Sequence, residues 1–290
     1  MTVNMNNVHR RFRHGLEIEK KFGYSAGLQY RNEIWVAGQL ARDEKGKQIT
    51  DQSLVGKFKK IVVNTDSILN GLNCTNAVAV NVRYYISDFN PLLIDAGIKN
   101  AFSNNEVERP AGTVVPCDGL NDVDGVVEIS SLWETKTEYE TVNNEFEGRS
   151  LVLGHNDEVI RRLPASSPLE KAFGFSQGIR IGNRIFVSGQ LAYDDQGLIS
   201  MKNDLPGQFG VAFSKVVEIV VALGGSSADL VQTETLLCRR SNSPEEFDKI
   251  CTSHRELFSD IETPTGTMAY VPFLFDPDAL VQVSGVAVLS

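Results

Sequence analysis

The sequence predicts an α+β protein made twice over: two copies of one domain, each a mostly antiparallel sheet with two helices on one face. The first observation is a long internal repeat. Residues 22–43 (FGYSAGLQYRNEIWVAGQLARD) recur as residues 173–194 (FGFSQGIRIGNRIFVSGQLAYD), with 12 of 22 positions identical and no gap. A repeat that long implies duplicated domains rather than a short solenoid unit. The second is that later landmarks return in order. Pro110-Ala111-Gly112-Thr113 matches Pro264-Thr265-Gly266-Thr267, and Val127-Glu128-Ile129-Ser130 matches Val281-Gln282-Val283-Ser284. The third is that strand-like alternation and helix-like spacing succeed each other in the same sequence in both halves.

Taken in order, residues 1–21 are a polar lead-in. Its cluster His9-Arg10-Arg11-Phe12-Arg13-His14 reads as a solvated arm, and Leu16-Glu17-Ile18 as an edge strand. Around Arg31-Asn32 and Gly182-Asn183 the chain alternates apolar and polar. The β-branched and aromatic residues of Ile34-Trp35-Val36 and Ile185-Phe186-Val187 favour strand, so each copy opens with a hairpin. Gly38 and Gly189 interrupt those strands, where glycine marks a bulge or a close approach, which makes the Gly-Gln-Leu segment a pocket wall. Val55, Phe58, Ile61, Val62, Ile68, Leu69 and Leu72 recur at helical spacing. So do Phe209, Phe213, Val216, Val217, Val220 and Leu223, ending at Gly224-Gly225 as a C-cap. Strands follow at 77–86 and 231–238, then second helices at 91–104 and 244–259, then two closing strands, 112–117 with 126–133 and 266–273 with 280–289. The resulting order is ββαβαββ in each copy. The domains are thus residues 22–134 and 171–290, joined by residues 135–170 as linker and edge strand.

Composition narrows the function classes. A chain of 290 residues with 42% hydrophobic and 22% charged residues suits two globular domains. A net charge of −9 disfavours nucleic acid and anionic membrane as partners. Cys74, Cys117, Cys238 and Cys251 have no CxxC spacing, which points to reduced thiols, no zinc and a cytoplasmic protein. The start lacks an apolar signal region, and no run reaches the ~20 apolar residues of a membrane span. Four histidines, two of them in the lead-in, assemble no nucleophilic triad or metal site, and no cofactor motif is present.

The element order, carried with the hairpin motif Asn183-Arg184-Ile185-Phe186-Val187-Ser188-Gly189-Gln190-Leu191 and the late Pro-x-x-Thr strand, resembles the RidA/YjgF family of reactive-intermediate deaminases, of chorismate mutase-like fold, in a tandem two-domain form. The resemblance implies a homotrimer with ligand pockets at subunit interfaces, and hydrolysis of enamines and imines such as 2-aminoacrylate. It also implies an arginine in the late strand that binds the substrate carboxylate and a glutamate in the last strand that positions water. Carried onto this sequence, the arginine falls on Gly112 and Gly266, so neither copy has it; Arg109 lies three residues early, on the opposite strand face. The glutamate falls on Glu128 in the first copy and on Gln282 in the second, where it cannot act as a base. The serine before the hairpin glycine is Ser188 in the second copy and Ala37 in the first, and the pocket aromatic is Tyr24 or Phe175.

The candidate catalytic residue is therefore Glu128, with Tyr24, Gly38, Thr113, Phe175, Ser188, Gly189 and Gln282 as substrate-binding candidates. Three functions stay open: a deaminase-like hydrolase for an imine or enamine that lacks the usual amino-acid carboxylate, a noncatalytic small-molecule-binding or interaction protein, and a chorismatase-like enzyme. His254 and Cys251 share a helical face with Phe247 and Ile250 and read as packing; Arg239-Arg240 reads as a solvated pair.

Overall fold

The computed structural model describes residues 9–49, 53–87, 109–120, 125–135, 151–155, 158–167, 170–171, 174–239, 244–257 and 263–290. The chain forms two compact units. The first comprises residues 1–110 and 119–138; the second comprises residues 111–118 and 139–290.

In the first unit, strands β1 (His9–Phe12), β2 (Gly27–Tyr30), β3 (Glu33–Gln39), β4 (Ala77–Ile86) and β6 (Val127–Thr135) lie in the order β1-β2-β3-β6-β4. The pairs β1–β2, β2–β3, β3–β6 and β4–β6 are antiparallel. Helix α2 (Leu54–Gly71) begins at Ser53, whose side chain accepts from the Gly56 N–H, and buries Phe58, Ile61, Ile68 and Leu69. Every third or fourth residue of α2 faces the sheet, as its spacing requires. The second helix expected at 91–104 lies outside the described residues.

Two readings of the lead-in are corrected. His9–Phe12 is a strand paired with β2 rather than a free arm, and the Phe12 ring occupies the space where Gly71 would carry a Cβ. Leu16–Ile18 is not an edge strand: Glu17–Phe22 is a short helix, α1, ended by Gly23 at φ 73°. Its start is fixed by Glu19, a side chain buried to 2% exposure whose carboxylate accepts the backbone N–H groups of His14, Gly15 and Leu16 at 3.0, 2.8 and 3.1 Å. Three orphan donors on one carboxylate outweigh the strand preference of a three-residue apolar run.

The second unit has the predicted order: β9 (Gly178–Ile181), β10 (Arg184–Gln190), α3 (Leu205–Ala222), β11 (Leu230–Cys238), α4 (Pro244–Leu257), β12 (Thr265–Val271) and β13 (Val281–Val288). The region read as linker and edge strand supplies a hairpin, β7 (Leu151–His155) with β8 (Glu158–Leu163). The sheet order is β12-β11-β13-β10-β9-β8-β7, antiparallel except for the β11–β12 pair. Helix α3 is 18 residues long and apolar enough in composition to cross a membrane, but it is a core helix. Phe209, Phe213, Val216 and Val220 pack with Ile185, Val187, Val281 and Val283 of the sheet. Asp204 caps its start and Gly224, at φ 91°, follows its end. Strand β5 (Ala111–Pro116) belongs with this unit by its contacts and lies against β10.

Candidate functional site

In the first unit, β3 and β6 pair in register except between Val36 and Gln39, where the ladder slips. Gly38 sits in that irregularity, and the space a Cβ would take there is filled by the carboxyl group of Glu128. The glycine thus admits the glutamate from the neighbouring strand. Glu128 and Gly38 line a cavity of about 800 Å³ together with Tyr24, Arg42, Arg13, Glu19 and the N-terminal segment. Burial raises the pKa of Glu128, and the Arg42 guanidinium opposes that rise in part. The Tyr24 hydroxyl is also raised, first by burial, then by Glu19, with Arg42 acting against both and Glu128 adding to the rise. Tyr24, Glu128 and Arg42 are therefore electrostatic neighbours in one cavity. The loop carrying Arg42 is pinned from α2, where Asn64 Nδ2 donates to the carbonyls of Leu40 and Arg42 at 3.1 and 3.2 Å. A carboxylate with a raised pKa beside a phenol can hold a water and exchange its proton.

The second unit carries the same wall with a different outcome. Its ladder slips between Val187 and Gln190, and the Gln282 side chain lies 2.7 Å from the position of a Cβ on Gly189. Strand β5 then closes the site. The Gly112 N–H donates to Ser188 Oγ at 2.8 Å, Ser188 Oγ donates to the Ser176 carbonyl at 2.6 Å, and Gln282 Nε2 donates to the Val114 carbonyl at 3.1 Å. The Phe175 ring packs onto the α-carbon of Gly112, in the space an arginine side chain there would need. Phe175, Ser188, Gln282 and Thr113 are buried, none more than 4% exposed. The structure thus gathers Tyr24, Gly38 and Glu128 in one open cavity, and Thr113, Phe175, Ser188, Gly189 and Gln282 in a closed contact.

Sequence reasoning missed Arg42 and Glu19. Arg42 lies inside the repeat and corresponds in sequence to Tyr193, so the repeat itself carried the signal. Glu19 has a twin in Glu170, which accepts from the N–H groups of Ser166 and Ser167 at 2.8 and 3.0 Å and from Gln190 Nε2 at 3.1 Å. Both were hidden in segments read as lead-in and linker. His254 packs against the rings of Phe209 and Phe213 and burial lowers its pKa, in keeping with a packing role. Arg239 is exposed to solvent, as expected, and forms a surface ion pair with Asp118 at 2.8 Å; Arg240 is outside the described residues. Among the described residues no cluster of three metal-ligating side chains occurs.

This geometry defines the class as an α+β protein of duplicated YjgF-like domains, each with a glycine-relieved hairpin facing the last strand. The chain belongs to the RidA/YjgF family, whose model, described as endoribonuclease L-PSP, matches residues 16–133 and again 166–289. A Streptomyces coelicolor relative, the uncharacterised protein SCO2049, is 29% identical over 126 residues, covering 43% of this chain and 90% of its own. A solved chorismatase covers 90% of this chain and 76% of its own with a TM-score of 0.57 at 14% identity, a likeness of fold. Escherichia coli TdcF, solved with bound serine, is 24% identical with a TM-score of 0.36, covering 40% of this chain and 88% of its own.

Proposed function

We propose that the chain is a hydrolase of the Rid type, converting a small imine or enamine that lacks the usual amino-acid carboxylate into a ketone and ammonia, with the chemistry confined to the first unit. The observation that carries this is the Glu128 carboxyl group, partly desolvated in an open cavity beside Tyr24, while its counterpart Gln282 is bonded to backbone. Glu128 takes a proton from a bound water as the oxygen adds to the C=N carbon. The proton passes to nitrogen to give a carbinolamine, whose hydroxyl proton then moves through Glu128 to the nitrogen as the C–N bond breaks and the C=O bond forms, so that one imine and one water become one ketone and one ammonia. Tyr24 orients the nitrogen or the developing hydroxyl.

The absence of arginine at Gly112 and Gly266 supports a substrate without the α-carboxylate that an arginine fork would hold. The second unit serves as scaffold. The test uses an amine oxidase to generate the neutral imine of acetophenone from 1-phenylethylamine and follows ketone release. Release above the spontaneous rate that disappears in Glu128→Gln supports the reading. Release at the spontaneous rate with tight binding of the ketone would favour a noncatalytic binding protein.

The same proposal includes a cytoplasmic homotrimer of about 96 kDa, three times 31.9 kDa. In the second unit β5 covers β10, and Phe186 is 6% exposed and Val114 3%. Their repeat counterparts, Trp35 on β3 and Met268 on β12, are 48% and 38% exposed, and Tyr270 beside Met268 is 36%. Docking of β12 from one copy on β3 of the next would bury these faces as β5 buries β10. Light scattering is expected to give the trimer mass and a lower mass for Met268→Asp; a stable monomer at micromolar concentration would reject the assembly.

A further inference from the structure

We propose that Arg161 and Arg180 of the second unit form a binding site for a phosphate-class dianion, either free phosphate or the monoester of a small metabolite. The two residues lie directly opposite each other on β8 and β9, so their side chains leave the same face of the sheet. Both guanidinium groups reach Gly224, just past the end of α3. The Nη1 atom of Arg180 lies 2.7 Å, and that of Arg161 3.8 Å, from the position a Cβ on Gly224 would take. Like charges opposite one another on paired strands repel. Burial lowers the pKa of Arg180, and the charge of Arg161 lowers it further, with no carboxylate acting the other way. No hydrogen bond or ion pair joins Arg161 to another side chain among the described residues, and its Nε is buried without a partner. Neither arginine lines the first-unit cavity, so the site stands whether or not that cavity hydrolyses an imine.

The repeat shows how much of this arrangement the fold requires. In the first unit the equivalent strands set Arg10 opposite Gln29, and Arg10 Nη1 donates to the Leu72 carbonyl at the end of α2 at 3.4 Å. In the second unit Arg180 takes that task, donating from Nη1 to the Leu223 carbonyl at 3.0 Å and from Nε to the Gly182 carbonyl at 2.9 Å. The negative end of a helix dipole favours a cation, but one arginine serves that purpose for α2. Arg161 is surplus to the capping. Gly224, at φ 91°, also stands where the first unit has Asn73 at φ 58°, so no side chain at that turn competes with the guanidinium groups. An anion gripped by both forks turns their repulsion into attraction, and a dianion gives each arginine a charge to match. With a net charge of −9 on the chain, two arginines suit a small anion rather than a nucleic acid or a membrane.

The test titrates the full chain with inorganic phosphate, glycerol 3-phosphate and acetate at about pH 8, where the phosphates are dianions, with ionic strength held constant by sodium chloride. Affinities are read from the rise in melting temperature and from calorimetry. Phosphate is expected to bind at least ~10-fold tighter than acetate, and Arg161→Gln, which leaves the Arg180 cap in place, to weaken phosphate at least ~10-fold, the scale of one charged hydrogen bond. Without phosphate, Arg161→Gln should melt no lower than the wild type, because only a repulsive contact is lost. Should that variant fail to fold, Arg161→Lys replaces it, with a roughly threefold loss expected because an ammonium lacks the fork. Tighter binding of glycerol 3-phosphate than of phosphate supports a phosphorylated metabolite as the occupant, and equal binding supports free phosphate. A wild-type chain that does not respond to either phosphate, acetate binding as tightly as phosphate, or undiminished phosphate affinity in the folded Arg161 variant would each overturn the proposal.

Discussion

The two units share a hairpin, a slipped ladder and a glycine beneath the last strand, yet they treat the resulting space in opposite ways. In the first, Glu128 keeps an ionisable group over Gly38 in a cavity of about 800 Å³. In the second, Gln282 and Ser188 satisfy the backbone of β5, and Phe175 packs on Gly112. The difference teaches that a motif fixes a wall, while the strand lying against that wall decides whether the space is a site or a core. The covering β5 brings its own backbone donors and acceptors, and buried polar groups must be paired.

The largest expected break in the comparison is chemical. Glu128→Gln should lower imine turnover by ~10²- to 10⁴-fold, while Gln282→Ala leaves turnover within about twofold and lowers stability, because the Val114 carbonyl loses its donor. Full activity in a folded Glu128→Gln would move the chemistry elsewhere.

Placing an arginine in each late strand separates the units next. Gly112→Arg must displace the Phe175 ring from a closed contact and should destabilise by about 3 kcal/mol or more, read as a shifted denaturation midpoint. At Gly266 the nearest atom to an added Cβ is Thr233 Oγ1 at 3.8 Å, so Gly266→Arg should cost under ~0.5 kcal/mol. Equal effects would mean that Phe175 does not seal the second site.

A smaller contrast lies at the serine position. Ser188→Ala strips the buried Gly112 N–H of its acceptor and should cost ~1–3 kcal/mol, whereas Ala37→Ser, in the open cavity, should stay within about 0.5 kcal/mol.

The subtlest contrast is in pH. Burial raises the Glu128 pKa, so between its unfolded and folded values the folded chain binds more protons than the unfolded one. That contribution to stability is complete below the unfolded pKa and is lost as pH rises through the folded value. Thermal melts should therefore show wild type losing ground to Glu128→Gln as pH climbs out of the ordinary carboxylate range, with the difference level above. Turnover should rise over the same interval as the base deprotonates. A pH-independent difference in melting would mean that Glu128 is not desolvated.

Much of the architecture was legible because it is local. Helix α2 was visible in the spacing of Phe58, Ile61 and Ile68, and strands β3 and β10 in the β-branched and aromatic runs beside a turn. Glu128 stood out as a carboxylate within an apolar strand, and the repeat aligned it with Gln282. Glu19 was not legible, since what it bonds are backbone N–H groups brought near by a turn. Arg42 was missed although its mismatch with Tyr193 was in view, because its place beside Glu128 in one cavity joins segments far apart in sequence.

The sequence by itself determined the duplication, the element order of the second copy and the glycine opposite the last strand, because each is encoded in residue type and spacing along one stretch of chain. Only the tertiary structure decided that β5 lies on β10, that Phe175 occupies the space above Gly112, and that Arg42, Tyr24 and Glu128 share a cavity. These depend on which distant segments come into contact, and short-range periodicity carries no information about that.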